Sequence, residues 1–281
     1  MHPDNIYQKT YDMEHLTKVL PKLSAYVFTN KYGQSTIDFS NPEAVRYLNQ
    51  ALLKAYHQIN YWEFPIDNLT PPVPGRADYL YHLNDLIGKP QKPIQILDIG
   101  TGASLIYPLL GQSLFGWHFT ATDSQQESLQ IAQKIIDKNQ LAGKIKLKWQ
   151  PESGKILQNV IEPGDAFAAS ICNPPFYPSQ KAAENANRRK NKNLKLPQQR
   201  NFKGQANELW TKGGELLFLK KYIKESALFK NQIQWFTGLI SDKNNIPKLQ
   251  KLLQRLNAKE VQIIPLQQGQ KKIHILAWRF F

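Results

Sequence analysis

The sequence after Pro93 alternates between short apolar runs and amphipathic segments, and this alternation constrains the fold more than any other feature. Four apolar runs predict strands, at Ile94–Leu97, Trp117–Ala121, Ile145–Trp149 and Phe167–Cys172. Ser124–Lys138 predicts a helix, because its apolar residues recur at three- and four-residue spacing. Strands that alternate with helices are typical of a parallel, doubly wound sheet. We therefore predict an α/β fold for this part of the chain.

The C-terminal end departs from the alternation. Lys259–Pro265 and Lys272–Phe281 flank a glycine-containing turn, which predicts a terminal antiparallel hairpin. A second change of pattern comes at Lys89–Pro93, where two prolines fall within five residues. We predict a domain boundary there, with residues 89–281 forming the α/β domain.

Residues 1–88 predict a mainly helical extension. Asn41 is a favourable N-cap, and Pro42 suits the first helical position because its missing N–H is not needed there. The apolar stripe that follows consists of Val45, Leu48, Leu52 and Ala55. A second helix is predicted over Arg76–Ile87, after a proline-rich stretch.

The formal charge of the chain is +14, from 36 Lys and Arg against 22 Asp and Glu. Such an excess indicates a polyanionic partner, since binding to phosphates releases counterions. Residues 181–203 alone carry eight Lys and Arg against one acid, Glu184. Because these residues lack apolar periodicity, we predict a basic, mobile loop over residues 178–205.

Several other classes of protein are disfavoured. No run approaches 18 consecutive apolar residues, so a membrane-spanning helix is not expected. The single cysteine, Cys172, excludes a disulfide framework within the chain. The six histidines show no metal-ligand spacing, so we expect no metal. We expect a monomeric protein of the cytoplasm that works near nucleic acid.

A glycine-containing turn follows the first strand. Gly100 and Gly102 allow a tight turn and a close approach to a ligand. A dinucleotide fingerprint would have a third glycine where this chain has Leu105, so a pyrophosphate and NAD are disfavoured. Asp123 ends the next strand and is suited to accept hydrogen bonds from ribose hydroxyls. Together with Asp98, these residues favour a nucleoside cofactor without phosphates; an ordinary turn with a capping Asp is the alternative.

A second turn, Asn173–Phe176, also ends a strand, at the edge where doubly wound folds bind ligands. The exocyclic amine of adenine is a poor nucleophile because its lone pair is delocalised into the ring. The Asn173 side chain and the Pro174 carbonyl could accept from both of its N–H groups and orient the lone pair. Phe176 offers a face for base stacking. The alternative is a proline-rich turn without chemical function.

Two further side chains have competing interpretations. Arg76 could clamp a carboxylate through two hydrogen bonds. Pairing with Asp78 or Glu63 is an equally good structural use. Cys172 is interpreted as a small strand residue and not as a nucleophile.

Several of these motifs resemble the ribosomal RNA large-subunit methyltransferase F family, which acts on adenine-N(6) in 23S rRNA. They are similar also to its eukaryotic relatives, the N(6)-adenosine methyltransferases acting on small nuclear and messenger RNA. The resemblance covers nearly the whole chain. The stretches that carry it are Pro71–Tyr79, Asp98–Ser104, Asn173–Phe176, Asn201–Trp210, Gly213–Glu215 and Gln268–Lys271.

The resemblance implies a Rossmann-like class I methyltransferase sheet that uses S-adenosylmethionine, preceded by an RNA-binding module at residues 1–88. It implies that Arg76 holds the methionine carboxylate, Asp123 takes the ribose and Ser153 lies near the adenine. The implied cofactor site comprises Arg76, Asp98, Gly100, Gly102, Asp123, Ser153 and Asn173. The implied catalytic residues are Asn173, Pro174 and Phe176, with Asn173 touching both cofactor and target base.

The resulting hypothesis is methylation of the N(6) amine of an adenine in 23S rRNA, free or in a pre-ribosomal large-subunit particle. The basic loop would grip phosphates through Arg188, Arg189, Lys190 and Lys192 while the adenine is unstacked into the pocket. Methylation of a protein glutamine is the first alternative, since that chemistry also uses an Asn-Pro-Pro-aromatic turn. A non-catalytic RNA-binding or ribosome assembly factor and a DNA adenine methyltransferase are the others.

Overall fold

The computed structural model describes residues 1–66, 68–88, 93–152, 154–175, 177, 179, 181–182, 210–268 and 271–281. The helices of this part of the chain are α1 (Met13–Val19), α2 (Pro42–His57), α3 (Val73–Ile87), α4 (Ile106–Phe115), α5 (Gln126–Lys138), α6 (Gly214–Ser226) and α7 (Ile246–Arg255). Its strands are β1 (Val27–Thr29), β2 (Ser35–Ile37), β3 (Gln95–Ile99), β4 (His118–Asp123), β5 (Ile145–Trp149), β6 (Phe167–Cys172), β7 (Ile233–Ile240), β8 (Glu260–Gln268) and β9 (Lys271–Arg279).

Seven of these strands form one sheet, in the order β5-β4-β3-β6-β7-β9-β8. Strands β3 to β7 pair in parallel, and β9 pairs antiparallel with both β7 and β8. The predicted doubly wound sheet and its terminal antiparallel hairpin are thereby confirmed. The direction of winding reverses between β3 and β6, and doubly wound sheets bind ligands at the carboxyl ends of such strands.

Successive residues of each central strand face opposite sides of the sheet. Ile96 packs into a core shared with α3, α4 and α5, whereas Leu97 packs into a core shared with α6 and α7. In β7, Trp235 packs into the first of these cores and Phe236 into the second. The sheet is therefore covered on both faces, as the near-continuous apolar character of β3 and β6 requires.

The predicted N-cap at Asn41 is confirmed, since its side chain accepts from the N–H groups of Glu43 and Ala44. Helix α3 begins at Val73, three residues before the predicted start. Its first N–H is bonded by the Asn49 side chain at 2.8 Å, a contact that local sequence cannot reveal. The extension also contains a short antiparallel pair, β1 and β2, which was not predicted.

Residues 1–88 and the α/β domain share one apolar core. Leu52 and Leu80 belong to the same buried cluster as Leu109 of α4 and Ile96 of β3. Helix α3 contacts β6 and β8 directly, so it forms part of the layer that covers the sheet. The division at residue 88 and the RNA-binding role of residues 1–88 stay predictions.

A chain of buried hydroxyl groups links α3 to α6 through the sheet. Tyr79 donates to Thr237 at 2.8 Å, and Thr237 donates to the Ser170 carbonyl at 2.7 Å. The Ser170 and Tyr222 hydroxyls lie 2.6 Å apart. All four residues are fully buried, so their hydroxyls depend on partners within the protein, and Tyr222 also donates to the Thr237 carbonyl at 3.5 Å. Tyr79 also packs edge-on against Tyr107, which brings this chain to the carboxyl edge of the sheet.

In the described part of the chain, no helix has both the length and the apolar character that crossing a membrane requires.

Candidate active site

The glycine turn after β3 is held against β4 and leaves free space beside it. The N–H groups of Gly100 and Thr101 both donate to the Thr122 carbonyl at 2.9 Å. Gly100 has φ +72°, a left-handed conformation that favours glycine. A Cβ built on Gly100 would have no heavy atom within 4 Å, so the backbone here borders open space that a ligand can occupy.

Asp123, at the end of β4, fixes the turns on either side of it. One of its oxygens accepts from Gly102 N–H at 2.8 Å and the other from Gln125 N–H at 2.9 Å. Burial raises the pKa of Asp123, while these backbone bonds oppose the rise. Each carboxylate oxygen keeps a second lone pair for a further donor. The capping and ligand-binding interpretations of this residue are therefore compatible.

Asp98, at the end of β3, is a buried carboxylate without a bound partner. Its side chain is almost inaccessible, and neither oxygen has a hydrogen-bond partner within the described residues. Burial raises its pKa to about 7; Asp123 adds to the rise, and Thr101 and Arg76 oppose it. A buried polar group without a partner is costly, so Asp98 calls for a ligand that donates hydrogen bonds or carries positive charge.

Arg76 reaches this edge from α3 and is held by Tyr107 of α4. Its Nη1 donates to the Tyr107 hydroxyl at 2.7 Å, and its guanidinium lies 5.4 Å from the centre of that ring. Its Nε is buried and lacks a partner within the part of the chain that the structure describes. Asp78 does not pair with Arg76 but accepts from the backbone N–H of His2 and the side chain of Asn5. Arg76 is thus left with donor capacity for a ligand.

Tyr107 was not singled out from the sequence. Burial raises its pKa to about 12, with Arg76 opposing the rise, so its hydroxyl stays protonated and can accept from Arg76. The available signal was its place in the first turn of α4, directly after the glycine turn. Leu105, at the position of the missing third glycine, is buried and adopts a left-handed backbone with φ +51°.

Asn173 follows β6 directly and shares the edge with the glycine turn. In the parallel pairing of β3 and β6, Cys172 is level with Ile99, so Asn173 and Gly100 come next on neighbouring strands. The Asn173 Oδ1 atom is buried and has no partner within the described segments. Burial raises the pKa of the Cys172 thiol well above its usual value, which agrees with a structural role for that residue.

Some predicted site residues lie outside the described residues, namely Ser153, Phe176, Arg188, Arg189, Lys190 and Lys192. The predicted basic loop, residues 178–205, also lies outside them except at residues 179, 181 and 182. On either side of it, Tyr177 and Trp210 form a β-bridge, and Thr211 N–H donates to the Tyr177 carbonyl at 3.0 Å. Trp210 therefore lies next to the turn that carries Asn173.

Glu225 of α6 anchors a segment that begins three residues after Ser153. Its carboxylate accepts from the backbone N–H groups of Ile156, Leu157 and Gln158 at 2.7 to 3.1 Å. No sequence pattern indicated this contact, because the partners are nearly 70 residues apart. It fixes the chain that follows β5 to the last turn of α6.

The Gly213–Glu215 motif has a structural role. Gly213 has φ +82°, and a Cβ there would come within 2.5 Å of the Leu217 side chain. The buried Glu215 carboxylate accepts from Ser241 N–H at 2.6 Å and from the Asn245 side chain at 2.9 Å. The motif therefore fixes the start of α6 to the end of β7.

A cavity and a group of possible metal ligands lie away from the predicted site residues. A cavity of about 530 Å³ is lined by α2 and residues 59–63, and none of the predicted site residues lines it. His2, His82 and Asp85 bring their ligand atoms within 4.8 Å of one another, a grouping that the sequence did not predict. His2 Nε2 lies 2.9 Å from Asp85, and its Nδ1 accepts from Asp4 N–H. Because metal binding through Nε2 would require a proton on Nδ1, these bonds favour a hydrogen-bonded cluster.

Comparison with known proteins identifies relatives over the full length of the chain. "Ribosomal RNA large subunit methyltransferase F" of Christiangramia forsetii is 48% identical over 285 residues, covering 100% of both chains. The protein of the same name from Klebsiella pneumoniae is 42% identical and covers 100% of this chain and 94% of its own.

Solved structures show the same architecture. The hMettl16 catalytic domain in complex with the MAT2A 3′UTR hairpin 1 superposes with a TM-score of 0.87 at 33% identity, covering 100% of this chain and 96% of that one. The N-terminal domain of human METTL16 in complex with SAH gives a TM-score of 0.81 at 29% identity, covering 100% and 99%. A family model described as RNA methyltransferase matches residues 1–281. With its site at the carboxyl edge of the sheet and relatives along its whole length, the chain belongs to this RNA methyltransferase family.

Proposed function

We propose that the protein transfers a methyl group from S-adenosylmethionine to the N(6) amine of an adenine in 23S rRNA. The observation that carries the proposal is that Asn173 Oδ1 and the Asp98 carboxylate, at the same edge, both lack a hydrogen-bond partner among the described residues. The names of the relatives support ribosomal RNA as the substrate, and the hairpin complex of the human neighbour supports RNA in general. A monomeric enzyme in the cytoplasm is part of the same proposal.

The side chains at this edge fit S-adenosylmethionine in number and charge. The cofactor offers a carboxylate, an ammonium group and a ribose diol. Neither Arg76 Nε nor the Asp98 carboxylate has a partner within the described segments. Arg76 would bind the carboxylate of the cofactor, and Asp98 would accept from its ammonium group. Asp123 would accept from the ribose, and the open space beside Gly100 would admit the chain between these groups. When bound, the cofactor supplies an electrophilic methyl group on a positively charged sulfur.

The protein contributes a negative environment for that cofactor. Asp98 and Asp123 lie close enough for Asp123 to raise the pKa of Asp98. Two carboxyl groups at one buried edge disfavour each other's ionisation, and a positively charged ligand relieves this repulsion. The same charges exclude an additional anion, which agrees with a cofactor that has no phosphates.

Asn173 would act on the target amine by orientation. Its Oδ1 accepts from one amine N–H, and the Pro174 carbonyl accepts from the other, so the nitrogen lone pair turns toward the methyl group. An amide is not a base, so the contribution of Asn173 is positioning and electrostatic support. Stacking of the base on Phe176 completes the proposed pocket.

The test is methyl transfer from tritiated S-adenosylmethionine to protein-free rRNA and, in parallel, to total protein from cells that lack this enzyme. We expect label in N(6)-methyladenosine from 23S rRNA after nucleoside digestion. Label in a protein band instead would favour glutamine methylation.

Asn173→Ala tests the mechanism. Loss of an oriented hydrogen-bond acceptor is expected to lower turnover by roughly 10²- to 10³-fold. We expect affinity for S-adenosylhomocysteine, measured by calorimetry, to change by less than about threefold, because other residues bind most of the cofactor. Asn231→Ala, in an exposed turn, is the matched control. Full turnover in Asn173→Ala would contradict the proposed role.

A further inference from the structure

The charges of the protein are distributed unequally between the two faces of its sheet. On the face covered by α3, α4 and α5, residues 1–88 carry seven Lys and Arg against nine Asp and Glu. Helix α4 contains no charged residue, and α5 carries two basic and two acidic residues. This layer is therefore slightly acidic in a protein whose total charge is +14.

The opposite layer is strongly basic. Residues 212–259, which include α6 and α7, carry ten Lys and Arg against three acids. Two of those acids are engaged by the protein itself, since Glu215 and Glu225 accept from backbone N–H groups. The third, Asp242, caps a short 3₁₀ turn. Few carboxylates are left to neutralise the cations of this layer.

Six of these cations project from two adjacent helices. Helices α6 and α7 pack against each other and bury apolar residues such as Leu219 and Leu253 against the sheet. The basic side chains occupy the remaining surface, and all but the half-buried Lys220 are exposed. We call this the α6–α7 basic face; it consists of Lys220, Lys221, Lys224, Lys248, Lys251 and Arg255. None of the six pairs with a carboxylate among the residues that the structure describes.

The arrangement of these cations along the helices is regular. Lys248, Lys251 and Arg255 follow one another at three- and four-residue spacing and so share one side of α7. At a rise of about 1.5 Å per residue they span roughly 10 Å. Both helices run antiparallel to the strands they connect, so their N-termini lie at the carboxyl edge that carries Asn173. The basic face thus extends away from the candidate active site along one side of the molecule.

We propose that the α6–α7 basic face binds the phosphate backbone of structured RNA that flanks the methylated adenine. This inference rests on the proposed function, since it takes the substrate to be RNA. A row of cations that lack a carboxylate partner among the described residues matches a polymer with regularly spaced phosphates, and it gains affinity through the release of counterions. RNA therefore lies against the α6–α7 basic face. This face is on the opposite side of the sheet from residues 1–88, the segment to which the family resemblance assigns RNA binding.

The test is charge neutralisation on each face of the sheet. One variant carries K248Q, K251Q and R255Q; the control carries K134Q, K138Q and K144Q, which remove the same charge from exposed positions in and just after α5, outside residues 1–88. Binding of protein-free 23S rRNA and of a 20-base-pair RNA duplex is measured by anisotropy between 0.05 and 0.3 M KCl. For the α7 variant we expect the slope of log affinity against log salt to fall by about 2 to 3 and affinity at 0.15 M salt to fall about 10- to 100-fold. The control is expected to stay within about threefold of the unsubstituted protein.

Affinity for S-adenosylhomocysteine and the melting temperature of each variant report on folding. If both remain unchanged and the α7 variant binds RNA like the unsubstituted protein, the inference is overturned. Equal weakening in the two variants also overturns it, because net charge alone would then explain binding. Binding to vesicles with 30 mol% phosphatidylserine that depends on the α7 cations, without an effect on RNA, overturns it in favour of a membrane partner.

Methyl transfer to rRNA, measured on the same preparations, separates this inference from the proposed function. If the unsubstituted protein labels rRNA and only RNA affinity is insensitive to the α7 cations, the function stands and the inference fails. If the α7 variant loses RNA affinity but the unsubstituted protein labels no adenine, the inference stands and the proposed function fails.

Discussion

Asp98 is buried where its ionisation is costly, and its titration therefore reports on the proposed cofactor site. Burial raises the pKa of this carboxyl group to about 7 in the ligand-free protein. If Asp98 accepts from the ammonium group of the cofactor, binding requires the ionised form and releases a proton near neutral pH. Roughly a tenth of Asp98 is ionised at pH 6 and nine tenths at pH 8 for such a pKa. Cofactor affinity should accordingly be about tenfold lower at pH 6 than at pH 8.

The measurement is calorimetric titration with S-adenosylhomocysteine at pH 6, 7 and 8, in two buffers with different ionisation enthalpies. The buffer dependence counts the protons released on binding. Asp98→Asn is the control: its affinity should be lower and nearly independent of pH over this range. An affinity that is constant from pH 6 to 8 would refute the reasoning. The same would follow if Asp98→Asn retained the pH dependence.

The raised pKa of Asp98 also predicts how the stability of the protein depends on pH, with a sign opposite to that of most carboxylates. The pKa of Asp98 is higher in the folded protein than its ordinary value of 3.8, so the folded state binds more protons between these values. Its contribution to the free energy of unfolding therefore rises as pH falls through 7. A pKa raised from 3.8 to about 7 corresponds to roughly 4 kcal/mol of free energy. Asp98→Asn should stabilise the protein at pH 8 by up to that amount and have little effect near pH 4, as measured by urea unfolding.

Three substitutions test one contact of the site and two contacts that hold the surrounding structure. Tyr107→Phe keeps the ring beside Arg76 but removes the 2.7 Å hydrogen bond. Because the guanidinium is then less ordered, the affinity for S-adenosylhomocysteine, measured by calorimetry, should fall about 3- to 10-fold. An unchanged affinity would exclude a positioning role for Tyr107. Glu225→Gln weakens the bonds to three backbone N–H groups. It should lower the free energy of unfolding by about 1.5–3 kcal/mol, whereas the exposed control Glu127→Gln should leave it unchanged. Gly213→Ala places a Cβ against Leu217 at a backbone φ of +82°. In the same assay it should lower the free energy of unfolding by about 1–3 kcal/mol. A neutral effect would show that the start of α6 can shift.

The sequence predicted best where one local pattern decides the structure. The bounds of β5 and β6 agree with prediction because Ile145–Trp149 alternates with period two and Phe167–Cys172 is a buried run closed by an Asn-Pro turn. The positions of Asp98, Asp123 and Asn173 at the ends of strands likewise predicted that these residues share the carboxyl edge of the sheet, where the pairing of β3 with β4 and β6 brings them.

What could not be predicted depends on contacts between distant residues. The start of α3 is set by Asn49, from the preceding helix. The fixing of Arg76 by Tyr107 and of residues 156–158 by Glu225 joins elements that only the folded chain brings together. The basic loop was recognised as a dense local run of charge. The basic character of α6 and α7 was missed because their cations are spread over nearly 40 residues and gather only when the helices pack side by side.

The chain of hydroxyls from Tyr79 through Thr237 and Ser170 to Tyr222 limits how this protein can change over evolutionary time. Replacing Thr237 or Tyr222 by an apolar residue leaves the buried hydroxyl of Tyr79 or Ser170 without a partner, at a cost of about 1–3 kcal/mol, whereas replacing both members of either pair can be nearly neutral. The Tyr79 or Ser170 hydroxyl is therefore expected to be lost before that of Thr237 or Tyr222, because Thr237 keeps the Ser170 carbonyl and Tyr222 keeps the Thr237 carbonyl as a partner. Lineages that have exchanged one pair for apolar residues would be slow to return, so this buried chain would mark ancient branches of the family more durably than surface residues do.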